Sequence, residues 1–128
     1  MTTSSESSGL PQLRWSGTRI FRILVAEDPF INSFIKTLLH RQGHKVVTSE
    51  SSQACELLHS GELTVDLVIT NCPGLFLEFA DTLPLIYIAA CPDPDMAALF
   101  RTCRVLRKPF RNEELREAVQ DLLQFGVR

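Results

Sequence analysis

Two adjacent acidic residues, Glu27 and Asp28, directly follow a short apolar run near the start of the chain. Neighbouring carboxylates repel each other unless a cation or a lysine neutralises them. Mg²⁺ suits such a pair, because it binds oxygen ligands and usually takes one or two carboxylates while keeping several waters. A simpler interpretation is that Asp28 caps a helix and that Glu27 is solvated. Taken alone, the two residues favour the simpler interpretation.

Two further polar residues follow apolar runs later in the chain. Asn71 comes directly after the run that ends at Thr70, and Lys108 opens a Lys-Pro-Phe sequence after Val105 and Leu106. A Lys-Pro step is a place where a cis peptide bond can direct the lysine side chain, although cis is the minority isomer. Whether Lys108 reaches the two acids depends on how the apolar runs are arranged.

The hydrophobic pattern predicts strands that alternate with helices. Predicted strands span 20–26, 45–48, 65–70, 85–90 and 105–106; predicted helices span 29–42, 53–59 and 94–103, and a last one begins near Asn112. Such alternation implies right-handed crossovers and a parallel sheet covered on both faces. We therefore expect an α/β, flavodoxin-like domain with three α/β/α layers and a five-stranded sheet of order 2-1-3-4-5. Ligands of such sheets bind where the strand order reverses, which places Glu27, Asp28 and Asn71 together.

The connection between the third and fourth predicted strands is short, since it comprises only residues 72–84. A crossover with its helix usually needs at least about 10–12 residues, so the third helix is predicted to be shortened or missing. Four large apolar residues crowd this segment: Leu75, Phe76, Leu77 and Phe79. We expect them to fill the gap that the missing helix leaves. The alternative is an exposed patch for a partner.

Composition narrows the function classes. The chain has 128 residues, a formal net charge of −2 and 45% hydrophobic residues, as expected of one globular domain. Without a basic excess, nucleic-acid binding is not expected. The longest apolar run, Leu85 to Cys91, is too short to span a membrane, and the first residues contain no secretory apolar stretch. We expect a cytoplasmic protein with a flexible tail over residues 1–18 and one domain over residues 19–128.

The four cysteines are predicted to be reduced and buried, because no export segment is recognised. Cys72 and Cys91 follow neighbouring predicted strands, so a disulfide or a soft-metal contact between them is an alternative. Two ligands are too few for a structural zinc site.

These features together resemble the receiver domain of response regulators in two-component, phosphorelay signalling, and most of all receivers attached to hybrid histidine kinases. The resemblance covers about Arg19 to Phe125. It is carried by Val25-Ala26-Glu27-Asp28, by Asn32 and Gly43-His44, by Asp66-Leu67-Val68-Ile69-Thr70 with Pro73-Gly74, and by Lys108-Pro109-Phe110.

The resemblance assigns a role to each position. In that family a kinase histidine transfers a phosphoryl group to an aspartate at the end of the third strand. It implies that Glu27 and Asp28 form the acidic pocket and metal site, and that Lys108 contacts the phosphoryl group. Asn71 stands in place of the phosphoacceptor, and its neutral amide is a poor nucleophile. Mg²⁺ would bind weakly at best, because one carboxylate is lost.

Two further family positions are substituted as well. Ala89 occupies the place of a Thr or Ser that turns towards the phosphate, and Val105 that of an aromatic switch residue. We therefore expect a degenerate receiver, or pseudo-receiver, with no certain cofactor and no enzyme activity.

Such a module would act by protein–protein interaction. The partners implied are a histidine kinase, a phosphotransfer protein or an output domain. They would dock through the fourth helix, the fifth strand and the fifth helix, in a numbering that counts the shortened third helix. A homodimer through the same face is a further hypothesis. Alternatives are a receiver phosphorylated at Thr70 or Asp66 and a small-molecule sensor that uses the remodelled pocket.

Overall fold

The computed structural model describes residues 20–126, with side chains up to residue 123. The predicted tail and the boundary at residue 19 lie outside the described residues and stay predictions. The strands are β1 Arg22–Ala26, β2 Lys45–Thr48, β3 Leu67–Thr70, β4 Leu85–Ala89 and β5 Cys103–Arg107. The helices are α1 Pro29–His40, α2 Ser51–Ser60, α3 Pro94–Ala97 and α4 Asn112–Gly126, with a 3₁₀ segment at Pro73–Phe79.

The five strands form one parallel sheet of order β2-β1-β3-β4-β5, as predicted. The central strands owe their position to unbroken apolar runs, since Ile23–Ala26 and Leu67–Thr70 are buried at every residue. Strands with this pattern have to be covered on both faces.

Two apolar layers cover the sheet. On one face, α1 and α4 pack over alternate residues of the strands, with Ile35, Leu39 and Leu115 fully buried. On the other face, α2 contributes Ala54 and the 3₁₀ segment contributes Phe76. The predicted three-layer architecture is confirmed.

Helix α1 begins and ends largely as its sequence predicts. Asp28 is the N-cap, and its side chain accepts a hydrogen bond from the Ile31 amide. Gly43 adopts a φ of +89°, in the left-handed region that favours glycine. The apolar residues of α1 recur at helical spacing but are not all buried, since Phe30 is 88% exposed and Phe34 is 44% exposed.

The crossover between β3 and β4 contains the 3₁₀ segment in place of an α-helix, which confirms the shortened third helix. Phe76 is fully buried and fills the gap, whereas Leu75 and Leu77 are 45% and 43% exposed. The four apolar residues of the segment are therefore divided between core and surface.

Two predictions about the elements and the cysteines are wrong. The helix predicted over 94–103 ends at Ala97, because Cys103 already pairs with Leu85 as the first residue of β5. The cysteines are free, but Cys72 and Cys91 are exposed rather than buried. Along residues 20–126, the helices are all too short or too polar to cross a membrane.

Candidate functional site

The carboxyl ends of β1 and β3 lie side by side, because Ala26 pairs with Thr70 in parallel register. Glu27 and Asn71 are the next residues of the two strands, so the structure brings them to the same edge. The Glu27 side chain is fully buried, whereas Asp28 and Asn71 are exposed. The predicted position of the site at the strand-order reversal is thus the position that the fold provides.

Glu27 is held by three contacts. One carboxylate oxygen, Oε1, accepts a hydrogen bond of 3.1 Å from the Asp28 amide. The other, Oε2, lies 3.0 Å from the Lys108 ammonium nitrogen. The orientation of this second contact is that of an ion pair rather than a well-directed hydrogen bond. The Glu27 amide donates to Oδ1 of Asn32 at 2.9 Å.

Lys108 reaches the site from the end of β5. Its backbone amide donates to the Ala89 carbonyl at 2.9 Å, which anchors the residue beside the end of β4. The Lys108–Pro109 bond is cis, the minority isomer that the Lys-Pro step allows. The side chain is 30% exposed, so the ammonium lies between solvent and the buried carboxylate of Glu27.

Asp28 has a structural task of its own. Its Oδ1 accepts from the Ile31 amide at 3.1 Å and caps α1, where the helix dipole favours a negative charge. The simpler interpretation of Asp28 is therefore confirmed, and that of a solvated Glu27 is wrong.

Thr70 and Asp66, the alternative phosphoacceptors, are both engaged elsewhere. The Thr70 hydroxyl is fully buried, donates to the Ala26 carbonyl at 2.9 Å and accepts from the Cys72 amide at 3.0 Å. Asp66 accepts from the Arg22 amide at 2.8 Å, at the amino end of β1 and thus at the opposite edge of the sheet.

The two substituted switch positions lie on the neighbouring strands. Ala89 is the half-buried last residue of β4. Val105 pairs with Tyr87 in the centre of β5 and is 42% exposed. The roles of these positions as former switch residues stay predictions.

The residues at this edge leave few carboxylate oxygens free for a divalent cation. The carboxylate of Glu27 is already neutralised by Lys108, one oxygen of Asp28 caps α1, and Asn71 supplies only a neutral amide. Among residues 20–126, no three His, Cys, Asp or Glu side chains cluster in a way that could hold a metal. Mg²⁺ prefers anionic oxygen ligands, and at this edge the exposed Asp28 is the carboxylate that Lys108 does not neutralise.

Two site features were not predicted from the sequence. Asn32 enters there only as part of the resemblance, without its contact to the Glu27 amide. The sequence also does not indicate that the Thr70 hydroxyl joins β1, through the Ala26 carbonyl, to the loop after β3, through the Cys72 amide. In the sequence, such contacts are indicated only by the presence of an amide or hydroxyl side chain near the end of a predicted strand.

Two open grooves of about 500 Å³ lie near the amino ends of the strands, at the opposite end of the sheet from the candidate site. One is lined by Phe21, Arg22 and Asp66, and the other by Lys36 and His44, with Ile20 and Lys45 bordering both. Neither lies between the carboxyl ends of β1, β3 and β4, where the sensor hypothesis placed a pocket.

No protein-family model and no curated protein matches the sequence. Solved structures do match. A response regulator receiver protein from Sinorhizobium medicae is 22% identical, with a TM-score of 0.67, over 81% of this chain and 94% of that one. The receiver domain of the hybrid histidine kinase CckA is 24% identical, with a TM-score of 0.64, over 80% and 99%.

This chain has the receiver-domain fold. The receiver domain of sensor histidine kinase PA1611 from Pseudomonas aeruginosa is also similar, at 20% identity and a TM-score of 0.67 over 83% of this chain and 99% of that one. Its structure has a magnesium ion coordinated in the active site cleft. In the receiver fold of this chain, the carboxyl edge of the sheet carries the Glu27–Lys108 ion pair.

Proposed function

We propose that this chain is a receiver-like signalling module of a two-component phosphorelay that acts by protein–protein interaction and is not an enzyme. The observation that carries the proposal is the ion pair between Lys108 and buried Glu27 beside Asn71. Here the lysine already has an anionic partner inside the protein, and the residue at the acceptor position has no carboxylate. The likeness to receiver domains of histidine kinases supports a kinase, a phosphotransfer protein or an output domain as partner.

None of the three candidate acceptors, Asn71, Thr70 and Asp66, is ready for phosphoryl transfer. The Asn71 amide oxygen is a poor nucleophile at neutral pH. The Thr70 hydroxyl is buried and hydrogen-bonded on both sides, so attack on a phosphoryl group would require it to leave two partners. Asp66 lies at the opposite edge of the sheet. These contacts support a module that is not phosphorylated in the usual way.

An aromatic patch formed by Phe30, Phe34 and Phe110 supports a role in protein docking. Phe30 is 88% exposed, and the Phe34 and Phe110 rings are 6.4 Å apart between centroids. Phe30 lies two residues after Asp28 and Phe110 two after Lys108, so the patch adjoins the candidate site. Phe110 packs partly buried against the core, whereas Phe30 and Phe34 leave apolar surface exposed that a partner could cover.

The first test is intact-mass spectrometry after incubation with acetyl phosphate and Mg²⁺. We expect the wild type to keep its mass. The Asn71→Asp variant restores an acceptor carboxylate that competes with Glu27 for Lys108, and it is expected to gain one phosphoryl group. Asn112→Asp, at the exposed first residue of α4, is the matched control and should gain nothing. A phosphoryl adduct on the wild type would overturn the proposal.

A further inference from the structure

The 3₁₀ segment is fastened to α2 by two side chains that are one helical turn apart. The Cys55 thiol donates to the Leu75 carbonyl at 2.9 Å, and Nδ1 of His59 lies 2.7 Å from Oε2 of Glu78. Residues four apart lie on the same face of a helix, so both contacts face the segment. We propose that Cys55, His59, Glu78 and the Leu75 carbonyl form a pH-sensitive clasp, which holds the segment at mildly acidic pH and loosens as the pH rises.

The charges around the clasp favour its protonated state. The hydrogen bond and negative charge of Glu78 raise the pKa of His59 above its ordinary value of 6.5. Burial, followed by the charges of Glu78 on the segment and Glu56 on α2, raises the pKa of the Cys55 thiol. His59 also lies in the last turn of α2, where the helix dipole favours a positive charge.

The direction of the pH effect follows from the raised pKa of His59. A histidine that is easier to protonate in the folded state adds stability that is fully present below its ordinary pKa. That contribution is lost as the pH rises through the raised pKa. Deprotonation of Cys55 at higher pH acts in the same direction, because a thiolate cannot donate to the Leu75 carbonyl.

The clasp matters because the 3₁₀ segment adjoins the loop beside the candidate site and contains a buried core residue. The segment begins at Pro73, two residues after Asn71, so its position sets the loop beside the candidate site. It also holds Phe76, which is fully buried in the layer that α2 covers. Loosening the clasp would free the loop after β3 and expose part of this layer. The proposal does not depend on whether the module accepts a phosphoryl group.

Amide hydrogen exchange measured by NMR tests the clasp directly. The Ala80 amide donates to the Leu77 carbonyl and the Leu83 amide to that of Phe79, so both report on the segment. After correction for the intrinsic rate, we expect the opening constant of these amides to rise about twofold to fivefold between about pH 5.5 and about pH 8.5. Amides of β3 should not follow this change.

Three variants separate the clasp from a general effect of pH. His59→Gln should remove the pH dependence of segment opening, and Glu78→Gln should also return the pKa of His59 towards 6.5. His40→Gln, which changes an exposed histidine of α1, should behave as the wild type. All three positions are exposed, so the variants are expected to fold. Segment opening that is independent of pH in the wild type, or a pH response that persists in His59→Gln, would overturn the proposal.

Discussion

Glu27 is a buried carboxylate whose countercharge comes from Lys108, a residue 81 positions further along the chain. A buried charge without a partner is costly, and removing one member of such a pair destabilises a protein far more than removing both. Lys108 therefore acts as an internal cation at the carboxyl edge of the sheet. This explains how a buried carboxylate is tolerated at this edge of the sheet.

Lys108→Met tests this interpretation. Methionine keeps the length and apolar part of the side chain but leaves Glu27 with no countercharge. Because Lys108 is 30% exposed and water can replace part of the interaction, we expect the free energy of unfolding to fall by about 1–3 kcal/mol. Urea denaturation measures the loss. Lys36→Met, at an exposed position of α1, is the control, and equal stability of the two variants would contradict the role given to Lys108.

Thr70 is expected to matter for stability rather than for phosphorylation. Thr70→Val keeps the shape of the side chain but leaves the Cys72 amide without its hydroxyl partner and the Ala26 carbonyl with only the longer bond of 3.3 Å from the Ser51 hydroxyl among its side-chain donors. The expected loss is about 1–2 kcal/mol in the free energy of unfolding, since each group is left partly unsatisfied. Thr48→Val makes the same change at an exposed position of β2 and should cost little. A Thr70→Val protein as stable as the wild type would show that water replaces the hydroxyl.

The residues at strand ends could be predicted from the sequence, but the partners of their side chains could not. An apolar run followed by acids is enough to place Glu27 at the edge of a parallel sheet. Whether that carboxylate meets solvent, a metal or Lys108 depends on side chains that are far away in the chain. The same limit applies to Phe30, which has helical core spacing but lies in the first turn of α1, whereas the buried residues Ile35 and Leu39 lie further along.

At the scale of elements, the short connection between β3 and β4 determines the second apolar layer. With only residues 71–84 between β3 and β4, the chain forms a 3₁₀ segment that buries Phe76 fully over the sheet and packs Phe79 partly buried against the same layer. The length of this connection alone indicates that the helix is missing. It could not indicate which of the four apolar residues would be buried, because that choice depends on the orientation of the segment against α2.

Phe76→Ala is therefore expected to be among the most damaging single substitutions in this segment. Removing a fully buried phenylalanine leaves a cavity and costs about 3–5 kcal/mol of unfolding free energy. Leu77→Ala, in the same segment but at a position that is 43% exposed, should cost about 0.5 kcal/mol or less. Thermal or urea unfolding distinguishes the two. Comparable losses would mean that the segment does not pack as described.

The helix predicted over 94–103 shows how sheet pairing overrides helical spacing. Met96, Leu99, Phe100 and Cys103 are spaced as one helical face, yet α3 ends at Ala97. Cys103 pairs with Leu85 and starts β5, so the intervening residues have to turn the chain. Phe100 remains buried without being helical. Local periodicity cannot report a strand partner that lies elsewhere in the sequence.

For the molecule as a whole, the two sides of the sheet are unequally covered. The long helices α1 and α4 protect one face, while the other face has α2, a 3₁₀ segment and a single turn of helix in α3. At the open edge of the sheet, Val105 on β5 and Leu99 after α3 are 42% and 56% exposed. We attribute this exposure to the single turn of helix in α3, which leaves this end of the second face thinly covered.

The uncovered edge is where self-association is predicted. The surface of α3, β5 and α4 presents an edge strand on which Val105 is exposed near exposed Leu99, which favours pairing with another chain. In a twofold-symmetric dimer every surface residue occurs twice, so Val105→Glu would place two carboxylates at one apolar contact. We expect the wild type to dimerise in sedimentation velocity experiments at high concentration and Val105→Glu to remain a monomer.

Phe30→Glu, in the aromatic patch beside the candidate site, should dimerise as the wild type does. If Phe30→Glu breaks the dimer and Val105→Glu does not, then the copies meet through the aromatic patch, and the face that remains free for a signalling partner is the edge formed by β5.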